Sequence, residues 1–295
     1  MSNLSGMTGF ARETGEAEWG NWAWEAKSVN GRGLDVRINT PPGFDALERT
    51  LKASAGKMFK RGSLQISLRI EMTAREGDVT VNTELLQTLT QAAQAEHGTG
   101  LSGEAIATLM TVKGVVEAGS QSLRDLGTDK DVVSILEAGG QNALKGLAAA
   151  RHDEGQTLEA ILSDALNQLG TITKSCASFA GQQPELLKAR LEKQLAELGA
   201  TESVDADRQA AEIALAAAKA DVQEELDRLV AHIETGRGLL AEGSPVGRKL
   251  DFLAQELNRE ANTLCSKSVS LDLTNAGLGL KGVIDQFKEQ SANVE

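Results

Sequence analysis

Polar and apolar residues alternate one for one near the start of the chain, where the run Glu18 to Lys27 places Trp22 and Trp24 on the same side of an extended backbone. Period two predicts a strand. Leu34 to Asn39 gives another, stopped by Pro41 and Pro42, and Leu64 to Ile70 alternates cleanly with Arg69 on the outer side. Between them, Phe44 to Lys60 has helical spacing, with Asp45 as its N-terminal cap or a first-turn acid. This part reads as a small α/β layer, one antiparallel sheet covered by a helix. From Asn82 onward the pattern is helical, with breaks expected near Gly98 to Gly103, Gly139-Gly140, Gln182 to Pro184 and Glu242 to Pro245. Residues 141 to 238 read as long antiparallel helices with the character of an arm. The expected fold class is therefore α+β: a small N-terminal α/β domain with an antiparallel sheet, then a mainly α-helical C-terminal region. Three segments follow from this, an N-terminal domain at 1–80, a helical connecting region at 81–140 and a helical arm with a motif-bearing domain at 141–295.

Two late helices carry an unusual row of charge beside their leucines. In residues 247–268, Gln255, Glu256, Arg259, Glu260 and Thr263 fall within roughly 140° of arc, adjoining the sector of Leu250, Leu253, Leu257, Ala261 and Leu264. Polar groups that border the buried stripe are held by packing. In residues 221–232, Asp221, Glu224, Glu225, Arg228 and His232 share about 100° of arc next to Leu226 and Leu229. Glu225 and His232 project the same way, about 10 Å apart along the axis. Two such helices facing each other could form a metal or acid/base site. The plainer reading of each alone is a salt-bridged surface, Arg228 pairing within its own helix and Arg259, Arg248 or Lys249 pairing with Glu256 and Glu260.

The strings SVNGRGLDVR at 28–37, ARHDEG at 150–155, EELDRLVAH at 224–232 and GRKLDFLAQELNREANTLCSKS at 247–268 carry a likeness that extends to Met7-Thr8-Gly9-Phe10 and to the glutamines around 286–290. Together they resemble the YicC/YloC family of bacterial endoribonucleases, nearly end to end. The resemblance implies RNA cleavage that depends on a divalent cation, Mn2+ or Mg2+, and a ring-like homo-oligomer, a hexamer. On that basis Glu224, Glu225, His232, Glu256, Glu260, Arg228 and Arg259 are the expected catalytic set, with Glu225, His232, Glu256 and Glu260 as metal ligands. No organic cofactor is implied. Two carboxylates at i,i+4 suit a hard cation that keeps several waters, whereas a metal-free variant would use His232 as general base on the 2′-hydroxyl.

RNA contacts are expected from Lys27, Asn30, Arg32, Arg37 and Arg61 in the N-terminal part, from Arg151, and from Asn262, Ser266 and Lys267 at the end of the motif helix. Ordinary turn and capping chemistry is the plainer reading of both ends. The N-terminal basic segment has no interleaved aromatics of the kind that stack single-stranded bases. Lys27 stands where the family usually has arginine, and Cys265 where it has glycine or alanine.

A net charge of −12 argues at first against a polyanionic partner. The distribution of that charge alters the picture, because residues 1–75 hold eleven Lys and Arg against eight Asp and Glu, leaving 19 against 34 for the rest. A mildly basic N-terminal part on an acidic helical body permits local RNA binding. Cys176 and Cys265 suggest neither a disulfide framework nor a zinc site. The opening residues lack a basic segment followed by an apolar one, and no apolar run is long enough to span a bilayer, so a cytoplasmic protein without membrane contact is expected. An alternative of another class is a non-catalytic RNA-binding adaptor that presents RNA to other ribonucleases, its acidic helices serving as a protein interface.

Overall fold

Alternation in β2 (Gly20–Val29) buries Trp22, Trp24, Ala26 and Ser28 on one face, as period two requires. The computed structural model describes residues 4–73, 79–98, 100–118, 123–197 and 205–295. β2 lies between β1 (Gly9–Ala17) and β4 (Gly62–Met72), antiparallel to both, and β3 (Leu34–Asn39) completes the order β1-β2-β4-β3. The sheet is mixed, because β3 pairs parallel to β4. Helix α1 (Asp45–Met58) links those two strands, and a helical crossover returns the chain in the same direction. Asp45 is a first-turn acid of α1, and Phe44 is its cap without a side-chain bond.

The connecting region holds a feature that its helical pattern hides, a two-stranded ribbon of β5 (Val79–Val81) and β6 (Val116–Ala118). α2 (Thr83–His97) and α3 (Gly103–Met110) lie between these strands, and the short α4 (Leu123–Leu126) follows. Three-residue strands are too short for alternation to register.

Helix α5 (Lys130–Ala180) runs for 51 residues, through the break expected at Gly139-Gly140. Those glycines serve close approach instead. A Cβ at Gly139 would lie 2.5 Å from the Trp22 ring, and one at Gly140 would lie 2.7 Å from Leu51 Cδ1. The N-terminal half of α5 thus seats directly on sheet and α1, its Leu136, Leu144 and Leu147 joining Trp24, Leu51, Leu64 and Ile66 in one core. Trp24 Nε1 donates to the carbonyl of Leu136 at 2.8 Å, so the buried indole is satisfied.

The C-terminal half of α5 enters a second core. There Leu158, Leu162, Leu166 and Leu169 pack with α8 (Gln223–Glu242), α9 (Gly247–Lys267) and α10 (Leu271–Ser291). Burial in this core pushes the Cys176 thiol up to about 11, and both cysteines are free. The arm is shorter than the sequence implies, because α5 and α8 are core helices. It consists of α6 (Gln183–Glu197) and α7 (Ala206–Lys219), which pack on each other. Gln183 ties its base, donating to Ala220 O and accepting from Val269 N, each at 2.8 Å. No helix among the described residues is long and apolar enough to cross a membrane.

Arg151 sits where α5 passes from one core to the other, and it is 1% exposed. Its guanidinium meets Glu295 at 3.1 Å, donates to Gly6 O at 2.7 Å and Ser28 Oγ at 3.3 Å, and lies 4.9 Å over the Phe59 ring. Burial pulls its pKa down, against the opposite pull of Glu295 and Glu154. The expected RNA contact at Arg151 is therefore corrected: a side chain closed off and paired in this way holds the fold. Glu154, one turn further along α5, accepts from Thr8 N at 2.9 Å and from the Thr8 hydroxyl. Arg151→Ala should cost about 3–5 kcal/mol of stability, since Glu295 is left buried without its cation. Urea unfolding followed by circular dichroism measures it, and a loss under 1 kcal/mol (about the value of a surface pair) would contradict this role.

Candidate active site

Helix α8 packs on α5 and α9, and α9 packs on α8 and α10, burying complementary stripes, Leu226, Leu229, Ile233 and Leu240 on one, Leu250, Leu253, Leu257, Ala261 and Leu264 on the other. Gly236 allows the close approach, since a Cβ there would lie 2.9 Å from Leu166 Cδ2 and 3.0 Å from Leu253 Cδ2. The polar rows beside the stripes are consequently forced together.

His232, Glu256 and Glu260 meet across this cleft, each offering a ligand atom within 4.8 Å of the others. Glu260 is 1% exposed, and His232 Nε2 is buried without a hydrogen-bond partner among the described residues. An orphaned buried ring nitrogen calls for a partner, an acceptor where it carries the proton and a donor or a cation where it does not. Arg259 bridges the pair, with Nη2 at 2.8 Å from Glu256 Oε2 and 2.9 Å from Glu260 Oε1. The hydrogen bond to Glu260, then the charge of Glu256, raises the Arg259 pKa. Arg228 lies 3.6 Å from Glu260 Oε1 and also pairs with Glu224 one turn away on the exposed side.

Glu225 stands apart from this group. It is buried and held by Lys267 Nζ at 2.9 and 3.1 Å, and Lys267 also donates to Asp221 O at 3.0 Å. Glu225, expected among the metal ligands, thus lies outside the group of His232, Glu256 and Glu260, and Lys267, expected at phosphate, is engaged with it. The two neutralise each other and join the start of α8 to the end of α9. The physical reason is the antiparallel packing, which brings α9 past His232 at Glu256 and Glu260 but past Glu225 only near its own end.

The remaining RNA-contact candidates are scattered. Asn262 is exposed and donates to Asn258 Oδ1 at 3.2 Å, and the Ser266 hydroxyl donates to Thr263 O at 2.8 Å. Lys27 is exposed on β2, while Arg37 on edge strand β3 pairs with Asp35 at 3.0 Å. Asn30 and Arg32 lie in the turn after β2, which reaches the start of α9: Asn30 donates to Asn293 Oδ1, and Arg248 Nη2 donates to Arg32 O at 3.3 Å. Arg61 Nη1 donates to Val294 O at 3.4 Å in the same neighbourhood.

A cavity of about 450 Å³ opens beside the three-residue cluster and shares His232 and Glu256 with it. Leu239, Leu253 and Phe252 form its apolar wall, with Arg248 and Lys249 also lining it. Lys249 pairs with Glu242 at 2.7 Å, and neither it nor Arg248 takes the role of partner to Glu256 or Glu260. Sequence reasoning misses Phe252, although it lies one helical turn before Glu256.

Lys267→Met should lower stability by about 1–3 kcal/mol by stranding the buried Glu225 carboxylate, and adding Glu225→Leu should restore most of it. Urea midpoints of both variants measure this; a double variant no more stable than the single one would contradict the pairing.

The family described as "Endoribonuclease YicC-like, N-terminal region" matches residues 4–160, and "Endoribonuclease YicC-like, C-terminal" matches residues 176–295. A protein of Haemophilus influenzae named "Probable endoribonuclease YicC" is 36% identical over 292 residues, covering 98% of this chain and 99% of its own. Another of that name from Clostridioides difficile is 28% identical over 309 aligned positions, again covering 98% and 99%.

Proposed function

Because this chain belongs to the YicC-like endoribonuclease family, we propose that it cleaves RNA internally at the α8–α9 cleft with the aid of a divalent cation, Mn2+ or Mg2+. The observation that carries the cation is the meeting of His232, Glu256 and Glu260 around a buried nitrogen without a partner. One imidazole and two carboxylates suit Mn2+ and, through their oxygens, Mg2+. When bound, the cation supplies Lewis acidity toward the phosphoryl group.

The residues divide the remaining work. Glu256 and Glu260 now share Arg259, whose side chain is 59% exposed and so able to swing outward. Were a cation held by these two carboxylates, Arg259 would be free to turn toward the phosphate, where a planar guanidinium neutralises charge bidentately. Arg228 stays beside Glu260 and limits the cost of burying that carboxylate. His232 either holds the cation or, in a metal-free variant, takes the proton of the 2′-hydroxyl. The first route leaves 5′-phosphate ends and the second 2′,3′-cyclic phosphate.

Family resemblance also carries the proposal of a cytoplasmic homo-oligomer, a hexamer, in which the basic N-terminal surfaces of several copies would share one RNA. Gathering copies suits the charge distribution, since residues 1–75 of one chain hold only eleven Lys and Arg against eight Asp and Glu.

Glu256→Gln keeps the shape of the side chain and removes its charge. Incubated with a labelled structured RNA and Mn2+ or Mg2+, the wild type should cut internally and the variant about 100-fold or more slowly, with unchanged circular dichroism. End-group analysis of the fragments then separates the two routes. Wild-type rates in Glu256→Gln would remove this site, and intact RNA held in a stable complex by both proteins would favour the adaptor instead.

A further inference from the structure

The face of α9 that carries Glu256 begins two turns earlier. Arg248, Phe252, Glu256 and Glu260 follow one another at four-residue spacing, about 6 Å per step along the axis. A step of that size is on the order of one nucleotide of an extended single strand. The row thus presents a cation, an aromatic ring and then the two carboxylates of the proposed cleavage site.

Phe252 is 63% exposed, although large aromatics are normally covered. It lines the cavity of about 450 Å³ together with His232 and Glu256, so the ring borders the place where a scissile phosphate would lie. Arg248 uses a guanidinium N–H on Arg32 O, which ties it to the turn after β2 and leaves other donors of its fork for a phosphate. Lys249, 54% exposed, adds charge at the same cavity. On a chain with a net charge of −12, this is a place where apolar surface and cations occur together next to the site.

Resting on the endoribonuclease reading, we propose that this cavity is a nucleobase subsite. Phe252 stacks the base of a nucleotide adjoining the scissile phosphate, and Arg248 binds the phosphate beyond it. Stacking uses the π-face that every base possesses, so the subsite selects unpaired RNA over duplex and shows little preference among bases. Leu239, Leu253 and Thr235 also line the cavity. The alternative occupant of an exposed apolar surface, a second copy of this chain, would make Phe252 an intersubunit contact.

The test compares full-length wild type with Phe252→Ala, Phe252→Leu and Phe252→Trp, using a short labelled single-stranded RNA and versions of it lacking one base at a time. Binding is read by fluorescence anisotropy without added metal, cleavage by gel, and assembly by native mass measurement. Phe252→Ala should weaken binding about 5- to 150-fold. Phe252→Trp should bind as the wild type does, and Phe252→Leu should resemble Phe252→Ala, since leucine keeps apolar area but has no π-face. One abasic position should cost the wild type a similar factor and cost Phe252→Ala almost nothing. Full binding by Phe252→Leu, no abasic position that couples to residue 252, or a change in assembled mass would each overturn the subsite. A wild type that cuts RNA alongside an unresponsive Phe252 series removes the subsite alone, whereas a wild type that neither binds nor cuts removes the nuclease reading and the subsite with it.

Discussion

A guanidinium buried in a protein interior must be surrounded by acceptors, and the demands of Arg151 organise this molecule. It stands at the point where α5 leaves the core under the sheet and enters the core of α8, α9 and α10. Its partners come from four separate segments: Gly6, Ser28 on β2, Phe59 after α1, and Glu295. A charge withdrawn from water is tolerated only when such groups converge with good geometry. The interaction therefore fixes the N-terminal layer against the helical body as well as joining them. Glu295 extends the same junction to α9, since its carbonyl accepts the N–H groups of Val246 and Gly247 at 3.0 Å each.

That connection places the candidate site. α9 starts from the junction, so the turn after β2 reaches Arg248, and each later turn of the helix carries Phe252, Glu256 and Glu260 farther along the cleft with α8. At its far end, the buried pair of Glu225 and Lys267 closes the two helices together. The three-residue cluster lies between two fixed points, which suits the proposed cation site. Arg259 is the exception, bonded to both carboxylates yet exposed, which leaves it room to turn as the proposed chemistry requires.

Much of this is legible in the chain. Period two in Glu18 to Lys27 marks the strand that buries Trp22 and Trp24, and the rows bordering the leucines of α8 and α9 lead to His232, Glu256 and Glu260. Helical periodicity reports which face of one helix is polar but not which residue of another helix lies opposite. For that reason it groups Glu225 with His232, although Lys267 holds Glu225. Arg151 reads as a surface cation because its partners are as far as 145 residues away in sequence. Gly139 and Gly140 read as a break since close approach to Trp22 and Leu51 has no local signature. Phe252 passes as one more apolar residue, and only its exposure distinguishes it.

The most direct test of the proposed centre is an anomalous diffraction map from crystals of the full chain soaked in Mn2+. A peak bonded to His232 Nε2, Glu256 and Glu260, with Arg259 turned away from both carboxylates, is the predicted result. Arg259 still bridging Glu256 and Glu260 with no peak between them, or manganese bound only elsewhere, would contradict it.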